Sequence, residues 1–227
     1  MSKYFLSICV SLFFFTASAQ DKSSLQGAWQ REGATITFAG DFFSYVEFDQ
    51  ASKVFKGTRG GSWSLASGQL KETYEFDTWK PEQVGSSKSL KVALQGNQLM
   101  LGGQTFTRLD DGKPGQLHGA WLITGRMQEG EIRERKLGPR KTMKILSGTR
   151  FQWIAYNTET KEFRGTGGGS YTTENGKYVE HIEFFSRDSS RVGASLSFDF
   201  SLKEGKWHHQ GKSSKGNPIY EIWSLRE

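Results

Sequence analysis

The chain has 227 residues, with 30 lysines and arginines against 24 aspartates and glutamates, which gives a formal net charge of +6. A charge of this size does not by itself indicate nucleic-acid binding. Aromatic residues make up 14% of the sequence, which supplies bulky core material and argues against a disordered chain. The single cysteine excludes an intramolecular disulfide and a cysteine-based zinc or iron–sulfur site.

The N-terminal segment has the pattern of a secretory signal peptide. Lys3 precedes an apolar run over residues 4–15, and the small residues Ala17 and Ala19 follow. This order predicts cleavage after Ala19, so that residues 1–19 are removed and the mature chain is secreted or periplasmic. No later apolar run is long enough to predict a transmembrane segment.

The remainder of the chain contains a tandem repeat, because four segments recur in the same order. They are LQGAW at 25–29 and LHGAW at 117–121, FxYxxF at 43–48 and FxWxxY at 151–156, GTRGGSW at 57–63 and GTGGGSY at 165–171, and LKETYEF at 70–76 and YVEHIEF at 178–184. Residues 110–116 between the copies are rich in turn formers. We therefore predict one unit over residues 25–109, a linker over 110–116 and a second unit over 117–227.

The local pattern predicts strands almost throughout. Short segments rich in aromatic and β-branched residues occur, for example, at 42–48, 150–156, 178–185 and 196–202. Asn175-Gly176 is typical of a hairpin turn, and only residues 127–136 suggest a short helix. Many short antiparallel strands predict a sandwich or a barrel. A barrel is favoured for so small a unit because closure removes exposed strand edges.

Two motifs resemble the opening strand of the lipocalin and calycin barrels. They are Gly27-Ala28-Trp29 and Gly119-Ala120-Trp121, one in each unit. The resemblance implies an all-β fold of two tandem antiparallel lipocalin-like barrels. In that family a basic residue on the last strand packs on the tryptophan, so the resemblance places Arg108 and Arg226 in this role.

The second unit also resembles an uncharacterised family of secreted lipocalin-like domains from Gram-negative bacteria. The resemblance rests on FxWxxY at 151–156, GGSY at 168–171, YxExIE at 178–183, KWxH at 206–209 and ExW at 221–223. The first unit departs from this pattern, with Thr73 and Leu99 in place of His181 and Trp207. The family implies no known activity, and the departures make a ligand site in the second unit the stronger expectation.

Strand alternation predicts which side chains face the lumen of the second barrel. On one strand Tyr178, Glu180, Ile182 and Phe184 share the more apolar side, which we assign to the lumen. The predicted ligand-binding residues are Trp153, Glu180, Trp207, His209, Glu221 and Trp223. Aromatic walls with a few polar groups are typical of a small-ligand pocket. A lumen filled by its own side chains is equally compatible with a barrel of this size.

Three functions remain open from the sequence. The leading hypothesis is a non-enzymatic binding protein for a small hydrophobic or amphiphilic molecule, anionic ligands included, because the second unit is basic. The second is an enzyme in which Glu180 and His209 form an acid/base pair within hydrogen-bond reach. The third is a structural or envelope-interaction protein with filled barrels. No metal site is predicted, since the histidine spacing matches no zinc motif. No cofactor and no nucleic-acid partner are predicted either.

Overall fold

The computed structural model describes residues 21–213 and 215–226, which form two closed eight-stranded antiparallel barrels in tandem. The all-β, two-barrel architecture predicted from the sequence is therefore confirmed. The predicted signal peptide, residues 1–19, lies outside the described residues. Within the described part of the chain, no helix is both long and apolar enough to cross a membrane.

The first barrel is built from strands that follow one another around the wall, and β1 pairs with β8 to close it. Its strands are β1 Gly27–Arg31, β2 Ala34–Ala39, β3 Phe42–Asp49, β4 Val54–Ala66, β5 Gln69–Asp77, β6 Ser87–Gln95, β7 Gln98–Leu101 and β8 Gln104–Asp110. Short 3₁₀ helices at Lys22–Leu25 and Pro81–Gln83 precede β1 and β6.

The second barrel repeats this order and closes through pairing of β9 with β17. Its strands are β9 Gly119–Gln128, β10 Glu131–Glu134, β11 Arg140–Leu146, β12 Arg150–Asn157, β13 Phe163–Glu174, β14 Lys177–Phe185, β15 Ser195–Lys203, β16 Lys206–Lys212 and β17 Pro218–Leu225, with a 3₁₀ helix at Ser189–Arg191. Strand β10 is an addition that forms a hairpin with the end of β9. The helix suggested for residues 127–136 is therefore wrong, because this segment satisfies its backbone groups across a hairpin.

The alternation predicted for β14 holds as far as a β-bulge. Tyr178, Glu180 and Ile182 are buried on the inner side, and His181 is exposed. The pairing with β13 then slips, so that Gly168 faces Phe184 and Gly169 faces Ile182. Because the slip shifts the alternation by one residue, Phe184 points out of the barrel and not into the lumen as predicted.

Glycines on β4 and β13 let phenylalanine rings pack closely on the outer wall of each barrel. A Cβ atom on Gly168 would stand 2.5 Å from Cζ of Phe184, and one on Gly60 would stand 2.5 Å from Cζ of Phe76. Any larger residue would push these rings away from the strand. The repeated glycine runs thus prepare the outer surfaces through which the barrels dock.

The two barrels share buried apolar clusters. The larger cluster combines Ala39, Phe42 and Phe76 of the first barrel with Ala120, Leu122, Met143, Ile145, Ile154 and Tyr156 of the second. A smaller one joins Val46 and Phe48 to Phe184, with the rings of Phe48 and Phe184 4.9 Å apart. Burial of this apolar surface stabilises the docked arrangement.

Buried polar contacts fix the register of the two barrels. Nε2 of Gln152 donates to Oγ1 of Thr58 at 2.9 Å and to Oγ1 of Thr166 at 3.0 Å. These threonines occupy equivalent places in the two barrels. The hydroxyl of Thr58 donates to the carbonyl of Tyr45, and that of Thr166 donates to the carbonyl of Trp153. One side chain thus bridges equivalent points of the two copies.

The two arginines assigned to the tryptophans behave differently. Cζ of Arg108 lies 3.9 Å from the ring centroid of Trp29, as the resemblance implied. Arg226 instead packs over Phe42 of the first barrel at 3.8 Å and forms an ion pair with Glu75 at 2.7 Å. The expectation for Arg226 is wrong because the inter-barrel interface offers this side chain a carboxylate and a ring.

Asp110, at the end of β8, ties the first barrel to the second. Its carboxylate accepts hydrogen bonds from the hydroxyl of Ser147, from the amides of Gly148 and Gly112, and from the amide and hydroxyl of Thr149. Burial raises the pKa of Asp110, but these donors outweigh burial and lower it below its ordinary value. The ionised form therefore stabilises the junction.

We expect Asp110→Asn to lower the free energy of unfolding at pH 7 by about 1–3 kcal/mol, because the amide cannot accept from all of these donors. The pKa of Asp110 is lower in the folded than in the unfolded state, so its contribution is complete above about pH 4 and is lost as the pH falls further. Urea unfolding at several pH values tests this. The difference from wild type should shrink in acid, and Asp199→Asn at an exposed ion pair serves as the control. Equal losses in the two variants would contradict this role.

Candidate functional site

A buried ion pair occupies the lumen of the second barrel. Nζ of Lys144, on β11, lies 2.7 Å from Oε1 of Glu180 on β14 and 3.4 Å from Nδ1 of His209 on β16. All three residues are at most 5% exposed. Burial, followed by the charge of Lys144, lowers the pKa of His209 well below its ordinary value, so the imidazole is neutral.

Aromatic rings surround the Lys144 ammonium. Nζ lies 4.9 Å from the ring centroid of Tyr178, 5.1 Å from that of Trp207 and 5.4 Å from that of Trp223. His209 stacks on Trp207 with centroids 5.3 Å apart. Cation–π attraction and the charge of Glu180 together offset the desolvation of the ammonium.

The six residues predicted for this lumen are distributed as follows. Glu180, Trp207, His209 and Trp223 converge around Lys144, whereas Glu221 forms an ion pair with Arg126 at 2.6 Å. Trp153 is half-buried, and its ring lies 5.5 Å from that of Phe185. Four of the predicted residues thus form one cluster, and the other two have separate partners.

Sequence reasoning missed Lys144, and the reason is the inter-barrel interface. On β11, Met143 and Ile145 belong to the cluster shared with the first barrel, and Lys144 projects from the opposite face. Alternation would assign the apolar side to the lumen and the lysine to solvent. The second barrel reverses this assignment because its outer wall is also buried.

Lys144 also bears on the acid/base hypothesis. Glu180 and His209 both contact Nζ of Lys144, so the lysine lies where the hypothesis requires a substrate or a water. A neutral buried imidazole and an ion-paired carboxylate form a packed polar core in this arrangement.

An open cavity lies in the first barrel, with a volume of about 490 Å³. Its apolar and aromatic lining comprises Ile36, Tyr45, Tyr74, Trp79, Leu90, Leu101 and Phe106. Its charged lining comprises Glu47, Arg59, Asp77, Lys80 and Lys88. The volume falls within the range of small-molecule pockets, which is about 300–1,000 Å³.

Smaller side chains at equivalent positions explain why this lumen is open. Trp29 pairs with Ile36 as Trp121 pairs with Lys144, so Ile36 takes the place of the buried lysine. Leu99 faces Phe106 across the strands where Trp207 faces Trp223. In the same register, Leu70, Leu90 and Leu101 replace Tyr178, Phe198 and His209.

Arg59 is specific to the first lumen. It pairs with Tyr45 where Gly167 pairs with Trp153, so the second barrel has no side chain at this place. Nε of Arg59 lies 3.5 Å from Oε2 of Glu72, and its guanidinium carbon lies 4.4 Å from the Tyr45 ring centroid. Glu72, the equivalent of Glu180, is fully buried and accepts from the hydroxyl of Tyr74 at 2.8 Å. Each barrel thus supplies one cation to its buried glutamate, from a different strand.

The carboxylates near the rim of the cavity already have partners. Glu47 accepts from Arg31 at 2.7 Å and from the hydroxyl of Tyr45. Burial, followed by the hydrogen bond to Glu47, raises the pKa of Tyr45 to about 12. Asp77 accepts from the amides of Trp79 and Lys80, both at 2.9 Å, which fixes the loop after β5. By contrast, Arg59 donates no hydrogen bond to any residue in the described ranges.

The indole of Trp79 forms one lip of the cavity. It is 40% exposed, and a Cβ atom on Gly57 would stand 2.3 Å from its Cε2 atom. Its ring lies 5.9 Å from that of Tyr45. The glycine therefore allows an exposed aromatic ring to lie against the barrel, at the cavity that Arg59 also lines.

Comparison with known proteins assigns no activity. Residues 116–225 match a family described as a domain of unknown function, DUF4488, which spans nearly all of the second barrel. No curated protein matches the chain.

We expect Lys144→Met to lower the free energy of unfolding by about 3–5 kcal/mol, because Glu180 would remain buried without its cation. Lys144→Met combined with Glu180→Leu should recover most of this loss, since the pair is then replaced by apolar side chains. Chemical unfolding measures both variants. Lys177→Met, in the exposed pair with Asp199, should cost less than about 1 kcal/mol. A double variant no more stable than Lys144→Met would contradict the interpretation.

Proposed function

We propose that the protein is a non-enzymatic binding protein whose first barrel holds a small ligand with a flat apolar body and one anionic group. The observation that carries this proposal is the cavity of about 490 Å³ with Arg59 on its wall. The likeness of the opening motifs to lipocalin and calycin barrels supports a binding role. The proposal shifts the expected site from the second barrel to the first.

The lining matches such a ligand in shape and charge. Tyr45, Trp79 and Phe106 offer aromatic faces, and Leu90 and Leu101 close the apolar side. A planar guanidinium binds a carboxylate, sulfonate or phosphate through two parallel hydrogen bonds. Because Arg59 has no hydrogen bond to a described residue, its terminal nitrogens are available for this contact.

The charge around Arg59 favours a single anionic group. Glu72 lies 3.5 Å away at the inner end and partly neutralises the guanidinium. Lys80 and Lys88 line the cavity and are exposed, so they add positive charge where a ligand enters. An uncharged aliphatic ligand would leave these cations without a partner.

The second lumen offers an alternative site. The indole nitrogens of Trp207 and Trp223 and Nε2 of His209 are buried without a hydrogen-bond partner among the described residues. A ligand at the predicted second-barrel site would use these atoms together with Glu180. It would have to share the lumen with the Lys144 ammonium, so we assign the second barrel mainly a supporting role.

Export is part of the same proposal. The pattern of residues 1–19 supports a signal peptide cut after Ala19, and hence a secreted or periplasmic binding protein. Absence of cysteine after that position is compatible with an oxidising compartment.

Titration with 1-anilinonaphthalene-8-sulfonate tests the proposed site, since this probe combines flat rings with one sulfonate. Wild type should show saturable fluorescence enhancement. Arg59→Met should weaken binding at least about tenfold, the effect of losing a charge-assisted hydrogen bond. Leu101→Trp should abolish binding by filling the cavity.

Arg164→Met provides a matched control, because Arg164 pairs with Glu162 on the second barrel at 2.8 Å and lines none of this cavity. It should bind the probe as wild type does. Circular dichroism and thermal unfolding establish that each variant is folded. Unchanged binding in both Arg59→Met and Leu101→Trp would place the probe elsewhere and refute the proposal.

A further inference from the structure

Strands β9 and β11 of the second barrel separate next to the β9–β10 hairpin. Strand β11 pairs with β9 only from Met143 to Leu146, opposite Leu122 to Gly119. Beyond this point β9 pairs with β10, and the first residues of β11, from Arg140, pair only with β12. A wedge-shaped pocket of about 310 Å³ results. The hairpin is present only in the second barrel, so this pocket has no counterpart in the first.

Arginines dominate the lining of this pocket. Arg126 comes from β9, Arg133 from β10, Arg135 from the segment after β10, and Arg140 from the start of β11. Ile123 and Gly125 form an apolar and backbone floor, and Glu134 also lines the pocket. Four guanidinium groups from β9, from β10, from the segment after it and from β11 thus line one space.

Two of the four arginines have carboxylate partners and two do not. Arg126 pairs with Glu221 at 2.6 Å and Arg133 with Glu129 at 2.8 Å. Within residues 21–213 and 215–226, the side chains of Arg135 and Arg140 make no hydrogen bond or ion pair. The backbone amide of Arg135 donates to the carbonyl of Thr124 at 2.7 Å, which fixes the position of its chain.

The arginines are close enough to repel one another. Burial, followed by the charges of Arg140 and Arg126, lowers the pKa of Arg135 below its ordinary value. The charge of Glu221 partly offsets this repulsion. A bound anion between Arg135 and Arg140 would relieve the remainder. The pocket therefore combines repulsion among its arginines with the guanidinium donors of Arg135 and Arg140, which have no partner among the described residues.

We propose that this pocket binds a phosphate-type oxyanion between the guanidinium groups of Arg135 and Arg140, with Arg126 as a third donor. A tetrahedral oxyanion presents several oxygens and accepts from more than one arginine fork, whereas a lone carboxylate offers only two. The site is independent of the first-barrel ligand, since the two share no residue.

Isothermal titration calorimetry with inorganic phosphate at low ionic strength tests the pocket. Wild type should bind phosphate saturably. Arg135→Gln with Arg140→Gln should weaken binding at least about tenfold, because two charged donors are lost. Lys71→Gln with Lys203→Gln removes the same charge at exposed positions outside the pocket and should leave the affinity within about twofold of wild type.

A second arm identifies the source of the phosphate. In this arm the protein is sedimented with phosphatidylglycerol vesicles. Sedimentation of wild type but not of the Arg135→Gln, Arg140→Gln variant, together with release by free phosphate, would indicate a lipid headgroup. Binding of free phosphate without vesicle binding would indicate a soluble phosphate compound. The proposal fails if wild type binds neither probe saturably, or if the lysine control loses as much affinity as the arginine variant.

Discussion

The interior volume of an eight-stranded barrel is nearly fixed, and the side chains that occupy it decide what the barrel can do. Both barrels carry a buried glutamate at the same place, Glu72 in the first and Glu180 in the second. Each glutamate requires a cation, because a lone buried carboxylate is strongly destabilising. The second barrel supplies Lys144 through the centre of its lumen, and aromatic rings fill the remaining space. The first supplies Arg59 from the wall, with leucines at the corresponding positions, and so keeps a cavity.

Docking of the barrels imposes the second constraint on the sequence. Strands such as β11 are buried on both faces, one towards the lumen and the other towards the neighbouring barrel. The glycines of β4 and β13 allow Phe76 and Phe184 to lie against the outer walls, where they become interface core. Asp110 and Gln152 add buried hydrogen bonds whose geometry admits one register. These contacts thereby hold the second barrel against the first.

The two candidate sites differ in chemistry because they arise from different departures from the common repeat. The first-barrel cavity results from smaller side chains and an arginine in place of a glycine, which yields aromatic walls with Arg59 among them. The arginine pocket results from an inserted hairpin that opens the wall of the second barrel. Its donors face a largely polar space suited to an oxyanion. The two barrels thus share the buried glutamate, and both proposed binding sites lie where the barrels differ in sequence.

The sequence by itself determined the architecture: the repeat, the strand alternation and the turn signals predicted two all-β barrels, and alternation correctly placed Glu180 inside. Alternation reports that a strand has two faces but not which face meets a lumen and which meets another barrel. For this reason Lys144 was missed, and Phe184 and Arg226 were assigned to the wrong surroundings. The open cavity was likewise decided by the tertiary structure, because its volume is the sum of side-chain sizes contributed by several strands. The first barrel, with smaller side chains at these positions, is therefore the one whose lumen contains the cavity of about 490 Å³.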